Sequence, residues 1–228
     1  MTEITLYALN LNYSSWSLRP RILMDYYKIP YKLQMFYKDI PESLKAAHEF
    51  SPTGKLPAVK LSGSEDVIFD SLAICELLQE LYPFHPIYPT DPYERAFCRA
   101  IAAEMHSGFP SIRDQMGMNL SFTPKDMNLN FDWHPDTIND IKRIDEVWTT
   151  CRARVEDRFL FGHFTVADAM YVPVVTRLVT YGVTHLISPK SLEYLNAVLN
   201  TEVMKTAYAE AKVERQTHII TAYEIYNK

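Results

Sequence analysis

Residues 10 to 20, Asn-Leu-Asn-Tyr-Ser-Ser-Trp-Ser-Leu-Arg-Pro, hold the densest set of chemically useful side chains in this chain of 228 residues. Ser14, Ser15 and Ser17 crowd one turn, and Tyr13 adds a further hydroxyl. Before them Ile4 to Leu9 alternates as a half-buried strand does. After them Leu18, Ile22, Leu23, Tyr26 and Tyr27 recur at helical spacing. The serines therefore stand where a strand hands over to a helix. The first N–H groups of a helix lack partners and carry partial positive charge, so an anion is stabilised there. Hydroxyls at the same place can donate to it. Serine is equally suited to plain helix capping, and spacing alone leaves both roles open.

The elements needed to hold such a turn can be read on either side of it. Lys28-Ile29-Pro30 closes the first helix, and Tyr31 to Tyr37 alternates as a second strand. Strand, helix, strand predicts a parallel pair with a right-handed crossover. Pro41 to Phe50 predicts a short helix. Lys55-Leu56-Pro57-Ala58-Val59-Lys60-Leu61 predicts a strand entered through a tight turn, where a cis Leu56–Pro57 bond is expected. Residues 62–66 form a hairpin loop and Val67-Ile68-Phe69 the return strand. Asp70-Ser71 caps a helix from Leu72 to Tyr82, with Leu72, Cys75, Leu78 and Tyr82 on one face. A proline-rich, aperiodic segment at 84–92 reads as a linker. Beyond it the pattern is helical throughout, with helices from Tyr93 to about Met118 and from Pro135 to about Asp157. Another is opened by a Thr165–Asp168 capping box, and two more lie near Leu192–Leu199 and Glu202–Tyr226. The expected organisation is an α/β domain at 1–83, the linker at 84–92, and an all-α domain at 93–228.

Composition narrows the function classes. A net charge of -5, from 28 acidic and 23 basic residues, is spread over both halves and gives no basic face for nucleic acid. No apolar run approaches a membrane span of about 20 residues, and the N-terminus has no signal-peptide layout. The cysteines, 75, 98 and 151, are three in number and widely spaced, which suits buried free thiols and neither a disulfide frame nor a metal site. A soluble, cytoplasmic protein without a metal, a nucleic-acid partner or a membrane partner is expected.

Several motifs now fall into register. The serine-bearing first turn, Gly-Lys-Leu-Pro-Ala-Val at 54–59, Asp-Ser-Leu-Ala-Ile at 70–74, and a helical second half with its Thr-x-x-Asp cap together resemble a cytosolic glutathione transferase. The resemblance covers essentially the whole chain. Ser14-Ser15-Trp16-Ser17-Leu18-Arg19-Pro20-Arg21 is similar to the zeta-class Ser-Ser-Cys-Ser turn followed by arginines, and closer still to serine-type bacterial transferases. The resemblance implies a thioredoxin-like first domain that binds glutathione and a helical domain completing a pocket for a small apolar electrophile. It implies that Ser14 meets the glutathione sulfur, with Ser15 as runner-up and Tyr13 last. It implies that Lys55 faces the glycyl carboxylate, that the backbone of Leu56 holds the cysteinyl unit, and that Asp70 and Ser71 hold the γ-glutamyl end. It also implies a homodimer. The chain departs from the family at Asp70, where Glu or Gln is commoner, at Ser51, where Asn is common before Pro52, and at Trp16, which is often Cys or Pro.

Met105, His106, Phe109, Arg113, Met116 and Met118 follow along the first helix of the second domain, which in this fold borders the electrophile pocket. Methionines and an aromatic suit a permissive apolar site, and equally suit packing between helices. A cation at Arg113 favours an acidic electrophile, which keeps a zeta-like isomerase as the alternative. A non-catalytic binding module of the same fold is the other alternative. A glutaredoxin- or omega-type redox enzyme needs a cysteine in the first turn, where this chain has serines.

Overall fold

In a computed structural model the described residues are 3–122, 132–155 and 157–224. The strand β1 (Ile4–Leu9), the helix α1 (Ser15–Tyr26) and the strand β2 (Lys32–Phe36) come first, then α2 (Pro41–Phe50), β3 (Ala58–Leu61), β4 (Val67–Phe69) and α3 (Ser71–Leu81). The sheet runs β2-β1-β3-β4. β1 lies parallel to β2 in the register Leu6 opposite Leu33, and antiparallel to β3 with Leu6 opposite Val59. β3 and β4 form the antiparallel hairpin. The alternation of β1 is real: Ile4, Leu6 and Ala8 are fully buried while the intervening residues are half-covered. The Leu56–Pro57 bond is cis.

The helical half contains α4 (Pro92–Ser107), α5 (Pro110–Gln115), α6 (Pro135–Arg152), α7 (Val166–Thr180), α8 (Pro189–Leu199) and α9 (Glu202–Glu214). The helix expected from Tyr93 to Met118 is two helices. Gly108 ends α4, and a side chain there would bring its Cβ to 2.7 Å from the Glu104 carbonyl oxygen. Phe109 then turns left-handed at φ 59° and Pro110 starts α5, since proline, with its fixed φ and no N–H, is favoured in the first turn of a helix. The α6 helix stops at Arg152, short of Asp157. The last helix stops at Glu214, and a single 3-10 turn at Thr221–Tyr223 follows. Tyr226, the end expected for that helix, lies outside the described residues.

α7 is the axis of the molecule. Its expected capping box is present: Asp168 Oδ2 accepts from Thr165 N at 2.7 Å and from Thr165 Oγ1 at 2.8 Å, while Asp168 Oδ1 accepts from Leu160 N at 3.1 Å. Nearly every residue of α7 is buried, as expected for a helix covered on all sides. It packs on α1 and on α4, so one continuous apolar core joins Leu6 and Ile22 to Ile101, Trp148 and Val175. The 84–92 segment is fastened to this core. Ile87 is fully buried and its carbonyl accepts from Val166 N at 3.0 Å. Cys75, Cys98 and Cys151 are buried free thiols, and burial pushes the thiols of Cys98 and Cys151 up to about 12. Among the described residues no helix is long and apolar enough to cross a membrane, and no group of acidic, His and Cys side chains could hold a metal ion.

Candidate functional site

The turn between β1 and α1 is held from the far end of the chain. Leu11 N and Asn12 N each donate at 2.8 Å to the two oxygens of Glu214, the last residue of α9. Asn12 Nδ2 donates to Asn119 Oδ1 at 3.0 Å, and Ser121 N returns a bond to Asn12 Oδ1 at 2.7 Å. Tyr13 OH donates to Glu224 Oε1 at 2.5 Å, and Arg215 grips the same carboxylate with Nε and Nη2 at 3.2 and 2.5 Å. The phenol of Tyr13 is consequently pushed up to about 12, by burial first and by Glu224 second.

Ser14 is the N-cap of α1. Its Oγ accepts from Ser17 N at 3.3 Å and donates to Ser17 Oγ at 2.9 Å, while Ser17 Oγ accepts from Leu9 N at 3.1 Å. The capping reading of the turn is observed. Ser14 caps the helix, and it also lines a cavity of about 230 Å³. Ser15, Tyr13, Trp16 and Leu56 share that lining with Asn10 and Lys38 of the first domain. The second domain contributes Arg113, Gly117, Met118 and Arg177, and the C-terminal segment contributes Ile220 and Tyr223.

The other expected residues fall in different places. Lys55 is exposed. Asp70, with φ 76°, caps α3 by accepting from Leu72 N at 2.8 Å, and its other oxygen lies 3.1 Å from His106 Nε2. Burial holds the His106 imidazole below its ordinary range. Ser71 Oγ is buried without a partner among the described residues. Asp70, Ser71 and Lys55 do not line the cavity that Ser14 faces; Leu56 does. Of the expected electrophile-site residues, Arg113 and Met118 reach the cavity. Met105, Phe109 and Met116 sit in the core, which is the packing role their types also allowed.

Sequence reasoning missed Arg177, Glu214, Asn12, Asn119 and Glu224. Arg177 alone left a signal, because it is a cation inside an otherwise apolar helix, and arginine is seldom buried without a purpose. The contacts of Glu214 and Glu224 join residues some two hundred positions apart, and nothing local announces them.

A four-stranded mixed sheet with β1 at its centre, a hydroxyl-bearing helix start, a cis proline beside it and a helical second domain over the top define the glutathione transferase architecture. Residues 13–81 match the family described as glutathione S-transferase, N-terminal domain, and residues 131–200 match glutathione S-transferase, C-terminal domain. The chain belongs to the glutathione S-transferase family. Among curated relatives, it is 42% identical over 112 residues to a glutathione S-transferase zeta class of Euphorbia esula, covering 47% of each chain. It is 34% identical over 107 residues to a probable maleylacetoacetate isomerase of Caenorhabditis elegans, covering 47% of this chain and 49% of that one. The match thus spans about half the length of these relatives. In three dimensions it resembles poplar glutathione transferase F1, with TM-score 0.70 and 18% identity over 93% of this chain and all of that one. It also resembles a maleylacetoacetate isomerase from Anaeromyxobacter dehalogenans that holds glutathione in its active site, with TM-score 0.66 and 22% identity over 92% and 96% of the two chains. At these identities the two structures bear on the fold alone.

Proposed function

We propose that this protein is a glutathione-dependent transferase in which Ser14 holds the glutathione sulfur as a thiolate for attack on a small electrophile. The observation that carries this reading is the opening of the Ser14 hydroxyl, at the N-terminus of α1, into a cavity shared with Leu56 and the second domain. A free thiol with pKa near 8.5 is only a few per cent ionised at pH 7. A helix N-terminus and a donated hydrogen bond both favour the charged form. A lowering of about two units makes thiolate the majority species and corresponds to roughly 2.7 kcal/mol.

Ser17 supports this step. When thiolate is bound, the Ser14–Ser17 bond reverses, so that Ser17 donates to Ser14 and Ser14 turns its own proton to the sulfur. Leu9 N already donates to Ser17 Oγ, and hydroxyls aligned in series strengthen one another. Tyr13 is unsuited to the role because its proton is committed to Glu224. The tripeptide's remaining contacts follow the family pattern: Leu56 through its backbone, Lys55 toward the glycyl carboxylate, Asp70 and Ser71 toward the γ-glutamyl end. The buried hydroxyl of Ser71, without a partner among the described residues, supports the last of these. The protein acts as a homodimer on this reading.

The same thiolate serves a second reading, reversible addition to a cis double bond followed by rotation and expulsion. It is favoured by the isomerase names of relatives such as that of Caenorhabditis elegans. Calorimetric titration with glutathione, followed by turnover of 1-chloro-2,4-dinitrobenzene, tests the proposal. Heat of binding at millimolar ligand and a thioether product are expected. No heat and no thermal shift would contradict it.

A further inference from the structure

One wall of the cavity is a loop of the C-terminal segment. Arg215 donates to Glu224 from Nε and Nη2 at 3.2 and 2.5 Å, so residues 215–224 begin and end at one ion pair. A stretch of this length with joined ends is an Ω-loop. Its neck is tied to the first domain by two carboxylates. Glu214 accepts from Leu11 N and Asn12 N, and Glu224 accepts from the Tyr13 hydroxyl. The body of the loop is held differently. Gln216, Thr217, Ile219, Thr221 and Ala222 are exposed, and of residues 215–224 only Glu224 is buried. Among the described residues, none of the loop's apolar side chains joins the core.

What holds the body down is a latch on three consecutive residues between β2 and α2. The His218 ring stacks on Tyr37, with 3.7 Å between centroids and 8° between planes. His218 Nδ1 lies 3.0 Å from Asp39 Oδ2. Lys38 Nζ donates to Tyr223 OH at 3.0 Å and stands 4.8 Å from the centroid of that ring. Ile220 and Tyr223 line the cavity. Tyr223 is seated closely on Gly117, where an added Cβ would come within 3.3 Å of its ring. The latch also reaches the serine turn: Asn10 Oδ1 accepts from Lys38 N at 2.8 Å, and Asn10 O accepts from Ser14 N at 2.9 Å. With the loop down, the cavity measures about 230 Å³. Small-molecule sites generally run from about 300 to 1,000 Å³, and this one has to take a tripeptide and an electrophile together.

We propose that residues 215–224 are a flap over the cavity, which lifts off Tyr37-Lys38-Asp39 on its fixed neck to let glutathione in and product out. The ligand rests on the transferase reading above; the motion rests on the loop's own contacts. Segments with few buried apolar contacts open at low cost. The neck, by contrast, carries buried carboxylates whose hydrogen-bonded partners are costly to leave alone. The flap therefore moves as one body and does not fray back into α9. Lids of this kind shut out water and gate turnover in microseconds to milliseconds. Because Asn10 joins the latch to the Ser14 backbone, closing the flap also steadies the residue that faces the sulfur.

The test needs no glutathione at first. Ser14→Cys places a reporter thiol in the cavity, and 5,5′-dithiobis(2-nitrobenzoate) is too large to reach it under a closed flap. The thiolate bonds one reagent sulfur, the reagent's S–S bond breaks, and nitrothiobenzoate leaves, its colour giving the rate. Adding His218→Ala removes one aromatic stack and one hydrogen-bonded contact, and is expected to raise that rate about 5- to 30-fold. Tyr223→Phe, which removes only the bond to Lys38, is expected to give a smaller rise. His218→Ala without the reporter is the control, since Cys75, Cys98 and Cys151 are buried and should stay unlabelled. Reporter rates within twofold of each other in both variants overturn the flap. So does a rise matched by labelling of the three buried thiols, which would mean general loosening. Stopped-flow glutathione binding, read by tryptophan fluorescence, is the second arm. His218→Ala is expected to speed association and dissociation together; faster dissociation alone would make the loop a fixed wall and overturn the flap. An accelerated reporter in a protein that binds no glutathione upholds the flap and overturns the transferase reading. Glutathione turnover with an unaccelerated reporter does the reverse.

Discussion

Glu214 offers a direct way to loosen the turn between β1 and α1 without touching Ser14. Its carboxylate is 8% exposed and takes two backbone N–H groups, those of Leu11 and Asn12, both at 2.8 Å. In Glu214→Gln one oxygen remains to accept, and the amide N–H₂ meets the other N–H donor to donor. A hydrogen bond to a charged acceptor is worth roughly 1.5–3 kcal/mol, and a buried donor left alone costs about 1–3 kcal/mol. Burial already pushes the Glu214 carboxyl upward, which offsets part of that loss, so we expect about 2 kcal/mol for Gln and more for Ala, where both donors are orphaned. Ser14 lies two residues beyond Asn12, and misplacement of a reacting group by about 1 Å can cost on the order of 10² in rate. Urea unfolding of both variants gives the stability change, and turnover measured well below the transition gives the positional effect. Val198→Ala is the control, since Val198 is fully buried in α8, away from the cavity. It should destabilise by a similar amount and leave turnover nearly intact. A Glu214→Gln protein within about 0.5 kcal/mol of wild type, the range of neutral surface changes, would refute the reasoning. So would equal loss of turnover in the Val198 control.

Four further outcomes are expected. Tyr13→Phe should slow turnover less than tenfold, since its hydroxyl is held by Glu224, and should reduce stability by about 1 kcal/mol in urea melts. Ser15→Ala should be similarly mild in the same kinetic assay, and a loss larger than that of Ser14→Ala would move the role to Ser15. Asp168→Asn should destabilise by roughly 1–3 kcal/mol in thermal or urea melts, because an amide cannot accept from all three donors that meet this carboxylate. Light scattering should give about twice the chain mass of 26.5 kDa, and a mass of one chain at micromolar concentration would contradict the dimer.

The parts of this protein that were legible in its sequence are those written in local periods and caps. β1 shows its alternation, α3 its Asp-Ser start, α7 its capping box, and each is found within a residue or two of its expected place. Errors arose where one apolar period ran across a break. Met105, Met116 and Met118 lie along a stretch that reads as one helix, yet Gly108-Phe109-Pro110 between them is a stop and a restart. That local signal outweighs the period. The candidate site was half legible. Ser14 stands at the cavity from the turn between β1 and α1, and Leu56 from the cis-proline turn that enters β3. The arginines of its other wall, Arg113 and Arg177, depend on how α5 and α7 pack against α1, and no spacing records that. Only the incongruity of a buried cation in α7 hinted at it.

The proposed role of Ser14 is tested most directly by the state of the sulfur when glutathione is bound. Thiolate absorbs in the ultraviolet where thiol does not, so a pH titration of the complex reports its pKa. We expect the wild-type complex to titrate about two units below a free thiol near 8.5. Ser14→Ala should bring it back up by about one to two units, the equivalent of one hydrogen bond to a charged atom, with turnover partly recovering at higher pH. An unmoved titration in Ser14→Ala would contradict the central claim and leave the serine as a cap.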